Sequence, residues 1–144
     1  MAKIIRDNEL VWNPSKGIGP FQIGVKIEEY IHEFDLELVL EEMKDSDDWE
    51  AYRIKNRDDI RIYSVDSKVE SIACYMHCNY KGNNLIGMTI KQLINVLNTE
   101  PEEEVDKYDL DDGIQFVYEF DIYGCQVWVK DNIIVTFICG DYSD

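Results

Sequence analysis

Residues 24–34 read GVKIEEYIHEF, and residues 87–97 read GMTIKQLINVL. A shift of 63 aligns Gly24 with Gly87, Val25 with Met88, Ile27 with Ile90, Tyr30 with Leu93, Ile31 with Ile94 and Phe34 with Leu97. In each segment the apolar residues recur at i, i+3, i+4 and i+7, the spacing of an amphipathic helix with one buried face. Each predicted helix follows a glycine, and Thr89 is placed to cap the second.

Strand-like sequence follows both segments. In the first half, residues 51–56, 60–65 and 68–80 are rich in alternating apolar residues, with turn chemistry at 56–59 and 66–67. In the second half, residues 113–121, 125–130 and 133–139 have the same character, with turns at 123–124 and 131–132. The closing stretches also resemble one another, VESIACY (69–75) against IVTFICG (134–140). The expected fold is therefore one α+β domain over residues 1–144, built from two diverged helix–β-meander repeats. The halves cover about 14–80 and 81–140, with helices packed on one face of an antiparallel sheet. Residues 35–44 (DLELVLEEMK) fit helical and alternating spacing alike, and their Glu, Leu, Met and Lys content favours helix. A short edge strand is expected at 10–12 and a loop at 14–20.

The second informative feature is charge. The chain carries 30 Asp and Glu against 14 Lys and Arg, a net charge of −16. Eleven of the acids fall in residues 28–50 and eight in residues 100–112. A charge of magnitude roughly 2–8 suffices to keep a small domain soluble. The excess repels nucleic acid and anionic membrane and attracts basic proteins. With 45% hydrophobic and 12% aromatic residues the chain has material for a core, so the charge does not signal disorder. The opening MAKIIRDNEL lacks the apolar run of a signal peptide, no stretch is apolar for long enough to span a membrane, and the expected compartment is the cytoplasm.

No catalytic constellation emerges. Cys74, His77 and Cys78 suggest a zinc site. On a continuous strand His77 would face away from both thiols, and the thiols would lie about 13 Å apart at 3.3 Å per residue. Cys74, Cys78, Cys125 and Cys139 are thus expected as buried free thiols. The run Asp109–Gly113 fails the calcium-loop template, because Gly113 at position 6 puts Tyr108 and Leu110 where acids are required. His32 and His77 lie near no nucleophile motif, and GIGPFQIG (17–24) lacks the Lys-Ser/Thr of a phosphate loop. No cofactor and no metal are expected, and the chain is expected not to be an enzyme.

The arrangement of a Gly, a small hydrophobic residue, a helix with I-x-x-(Y/L)-I, an acidic loop and a meander resembles the tandem unit of β-lactamase inhibitor proteins. BamE-type outer-membrane lipoproteins carry a single such unit. The resemblance implies a scaffold for binding another protein, and it transfers no functional residues. The chain departs from it in lacking a lipobox cysteine and the paired cysteines of the secreted inhibitors. By size, charge and the absence of a catalytic motif it is also similar to bacterial immunity proteins. The partner expected from these readings is a basic protein, a nuclease-type toxin above all, rather than nucleic acid or membrane. The candidate contact residues are Glu28, Glu29, Glu33 and Trp49 from the first acidic stretch. The second contributes Glu102, Glu103, Glu104, Asp106, Tyr108, Asp109, Asp111 and Asp112. Carboxylates there would steer and pair with Lys or Arg, and the aromatics would anchor. A nucleic-acid mimic and a non-catalytic ligand-binding or scaffold domain are the competing readings.

Overall fold

In the computed structural model, residues 2–43 and 48–140 are described. In chain order the strands are β1 (Trp12–Asn13), β2 (Gly17–Ile18), β3 (Phe21–Gln22), β4 (Leu36–Leu38), β5 (Glu50–Ile54), β6 (Ile60–Val65) and β7 (Lys68–Cys74). They continue with β8 (Asn79–Tyr80), β9 (Asn83–Asn84), β10 (Asp106–Leu110), β11 (Gly113–Phe120), β12 (Cys125–Lys130) and β13 (Ile133–Gly140). Among the described residues two α-helices, α1 (Glu28–Ile31) and α2 (Ile90–Leu97), accompany these strands together with short 3-10 turns.

Eight strands form one antiparallel sheet in the order β10-β11-β12-β13-β7-β6-β5-β4. Two four-stranded meanders thus meet at their last strands. The segments 69–75 and 134–140 fall at this seam, where Phe137 pairs with Cys74 and Cys139 with Ile72. Turn residues Asn56, Asp66, Ser67, Asp131 and Asn132 all adopt positive φ, as tight connections between twisted strands require.

This corrects the expected α+β fold of helix–meander repeats. The described residues are mostly β, 44% strand against 16% helical, and the helices do not pack on a sheet face as repeats. The pattern at 24–34 marks the buried face correctly, since Ile27, Tyr30 and Phe34 are all buried. Yet it supports only one helical turn of four residues, because Ile27 offers no capping side chain and Asp35 turns left-handed (φ 54°) to start β4. Helix α2 is twice as long. The Thr89 hydroxyl accepts a hydrogen bond from the Gln92 amide and the Gln92 side-chain oxygen accepts one from the Thr89 amide, a complete capping box.

Two further expectations fail for a related reason. Residues 35–43 form no helix, but β4 and a 3-10 turn at Leu40–Glu42. Strand pairing of Leu36 with Ile54 and Leu38 with Tyr52 overrides the local helix preference. The acidic stretch expected as a loop contains β10, paired over five residues with β11. The expected loop at 14–20 also contains β2, within a small sheet β1-β2-β3.

The core joins buried side chains of the large sheet with those of the small sheet and residues from α1 and α2. Trp12, 1% exposed, packs against Tyr80 and Phe137, each with ring centroids 4.8 Å away. Phe21 sits 5.2 Å from both Tyr30 and Phe34, joining α1 to the small sheet. No helix among the described residues is long and apolar enough to cross a membrane.

Candidate functional site

The sheet separates the two acidic stretches. Trp49 immediately precedes β5, and Tyr108 lies on β10, six strand spacings away. At about 4.8 Å per spacing they stand roughly 29 Å apart along the sheet. The predicted contact residues therefore form two groups on opposite sides of the molecule, not one surface.

The first group is engaged from within at Glu33 and Trp49, beside further acids of the same stretch that arginines hold. Glu33 pairs with Lys3. Arg53 meets Glu37 (2.8 Å) and Glu41 (3.7 Å), and Arg61 holds Glu42 and Asp58. Arg61 is only 8% exposed. Its burial disfavours the charge, but Glu42 and Asp58 outweigh that and raise its pKa. Glu42 also accepts a hydrogen bond from Tyr63 (3.1 Å), whose ring carries Trp49 edge-on at 5.7 Å. Trp49 is half-buried in this packing, so it is no free anchor. Glu28 and Glu29 remain exposed on α1.

The second group is open. Residues 102–112 are exposed throughout, and β10 is exposed at all five positions. Of the eight acids in 100–112, Asp112 has a basic partner, Lys130 at 3.4 Å, and among the described residues the other seven have none. Like charges crowd at its start. Asp121 lies against Glu102, with Glu119 and Glu103 close by, and together they raise the Glu102 pKa. The Glu102 amide donates to the Glu119 carbonyl (2.7 Å), which fixes this approach. Tyr108 stacks on Trp128 at 5.0 Å and 21°, yet stays 43% exposed. Trp128 is held in turn by its indole N–H donating to Gln126, whose amide donates to Glu119. Tyr108 is thus a preset aromatic among unpaired carboxylates. Leu110, Ile114 and Phe116 add apolar surface, each about two-fifths exposed.

A second polar cluster escaped the sequence reading. Arg57, in the turn before β6, binds Asp59 through two hydrogen bonds (2.9 and 2.6 Å), Asp7 at 2.8 Å and the Ile5 carbonyl at 2.7 Å. His77 Nε2 lies 3.3 Å from Asp7. The donor atoms of Asp7, Asp59 and His77 come within 4.8 Å of one another, beside a cleft of about 780 Å³. All four carboxylate oxygens are already engaged by Arg57 or His77. A cation would have to displace the guanidinium, so the cluster acts as a clamp between the N-terminal segment and the sheet. Hydrogen bonds from Arg57 hold the Asp59 carboxyl below its usual pKa.

The thiol geometry also needs correcting. Strand β7 ends at Cys74, and Asn84 ties back the following loop by accepting from the Cys78 amide (2.9 Å) and donating to the Met76 carbonyl (2.9 Å). Cys78 therefore folds back into contact with Cys74, and the 13 Å separation of a continuous strand does not arise. All four cysteines are free and buried, with burial pushing Cys78 and Cys125 far up and Cys139 to about 12.

No family model, curated protein or solved structure matches this chain at a significant level.

Proposed function

We propose that this chain is a non-catalytic binding protein that holds a basic protein against its acidic end, residues 100–112, with Tyr108 as the aromatic anchor. The observation that carries this reading is the contrast between the two acidic stretches. Arg53 and Arg61 pair with Glu37, Glu41 and Glu42 of the first, whereas among the described residues the second has one ion pair, Asp112 with Lys130, and crowds like charges around Glu102. Unrelieved like-charge repulsion favours a complementary cation from outside, and a focused patch speeds its encounter.

The partner that fits best is a nuclease-type toxin, which would make this an immunity protein. Nucleases grip phosphates with Lys and Arg, and an acidic inhibitor can cover those groups. One focused patch supports a dedicated inhibitor more than a nucleic-acid mimic, which needs charges spread along a strip. The test is affinity capture from the lysate of the encoding organism through rising salt, followed by assay of the captured protein's nuclease activity. A single basic protein, silenced by the chain, supports the proposal. Many DNA-binding proteins released together at moderate salt favour the mimic, and captured proteins without basic character overturn both.

A further inference from the structure

We propose that the free edge of β10 receives an extended basic segment of the partner as a ninth strand of the large sheet. This rests on the reading that the acidic end binds a basic protein, and it specifies the manner of binding. Strand β10 ends the sheet, and among the described residues its outer edge pairs with nothing. Alternate residues along such an edge present unpaired N–H and C=O groups, a template for another strand.

The two edges of the sheet are built differently. The opposite edge, β4, is three residues long, runs into a 3-10 turn, and has its Glu37 held by Arg53. Those are devices that blunt an edge. Strand β10 has no proline, pairs with β11 over five residues without a bulge, and carries one lysine, Lys107. The register puts Tyr108 and Leu110 on one face, and Phe116 and Ile114 beside Lys107 and Asp109 on the other. An incoming strand would thus find apolar side chains on both faces, with Asp106, Asp109, Asp111 and Asp112 alongside. That complements a segment in which Lys or Arg alternates with apolar residues.

A second copy of the chain is the competing occupant. Antiparallel pairing about Tyr108 would set Lys107 beside Asp109 of the other copy. It would also bring together two stretches of eight acids on chains of net charge −16, and this repulsion favours the basic segment.

The test titrates the whole chain, followed by amide NMR, with a nonapeptide of alternating Lys and Val and with the same peptide N-methylated at alternate residues. N-methylation keeps the charge and removes N–H donors. The unmethylated peptide is expected to bind, to slow hydrogen exchange of β10 amides, and to lose affinity by at least about tenfold when methylated on the pairing edge. Equal, salt-sensitive binding of both peptides without β10 protection overturns strand addition while leaving the acidic-surface reading intact. Binding of neither peptide overturns both. A dimer of the chain alone with protected β10 amides assigns the edge to a second copy and overturns the proposal.

Discussion

Replacing Arg57 with Met should destabilise the protein by about 2–3 kcal/mol. The substitution keeps an apolar stem and removes every polar contact that Arg57 makes in the clamp. The arm to Asp59 is bidentate and mostly sheltered, with side chains 20% and 11% exposed. A charge-assisted contact of that kind contributes roughly 1.5–3 kcal/mol. The arm to Asp7, itself 61% exposed, adds at most about 1 kcal/mol. The bond to the Ile5 carbonyl adds about 1 kcal/mol. Water entering from the adjoining cleft returns part of this, which gives the net figure. For a chain of this length the loss corresponds to a fall in Tm of roughly 5–10 °C. Urea denaturation at several pH values is the assay. The Asp59 carboxyl titrates below its unfolded value of about 3.9, so its contribution is present above that value and is lost as pH falls through the folded one. The gap between native protein and Arg57→Met should therefore be full at neutral pH and narrow in acid towards the contribution of the Ile5 carbonyl bond. The control is Arg53→Met, whose partners Glu37, Glu41 and Asp58 are 41%, 64% and 77% exposed. Its cost should stay under about 1 kcal/mol. A gap for Arg57→Met that is no larger than the control, or that persists unchanged in acid, would refute the clamp.

Other outcomes follow from the same contacts. Phe34→Ala removes a ring packed on Phe21 and Tyr30 and should cost about 3–5 kcal/mol by chemical denaturation; under about 1 kcal/mol would mean that this layer is not part of the core. The four buried thiols should resist a thiol reagent at mildly alkaline pH and all react in concentrated guanidinium. Rapid labelling of the native chain would contradict their burial. Glu102→Gln together with Glu103→Gln and Glu104→Gln should slow association with the basic partner and weaken its salt dependence, while the fold stays intact. The Glu102 pKa is raised, so the stability it contributes is present below its unfolded value and lost as pH rises through the folded one. Melting at neutral pH should therefore be unchanged or higher in that variant, and a lower Tm would show a structural role instead.

Much of the sheet could be read from the residues. Strands β6 and β12 occupy the expected positions, because alternating apolar residues run between turn formers that accept positive φ. Thr89 marked the start of α2, because an N-cap hydroxyl is a local signal. What failed depended on partners distant in the chain. Leu36 and Leu38 became a strand only because β5 was there to pair with. Strand β10 had no apolar alternation to reveal it, since neither of its faces is buried. The position of Cys78 was set by a loop bond from Asn84, which no periodicity records. The acidic stretches were visible as composition, but their difference was not. Arg53, Arg57 and Arg61 sit four residues apart in the sequence, and only the fold shows that they face Glu37, Asp59 and Glu42.

The central claim is that residues 100–112 form the working face and that the first acidic stretch does not. The most direct measurement compares capture of the basic partner, through a salt gradient, by the native chain and two neutralised variants. One variant carries Glu28→Gln, Glu29→Gln and Glu33→Gln; the other carries Glu102→Gln, Glu103→Gln, Glu104→Gln, Asp106→Asn and Asp109→Asn. The native chain and the first variant should hold the same basic protein to the same salt concentration, while the second releases it early or never binds. Loss of binding in the first variant with retention in the second would contradict the claim.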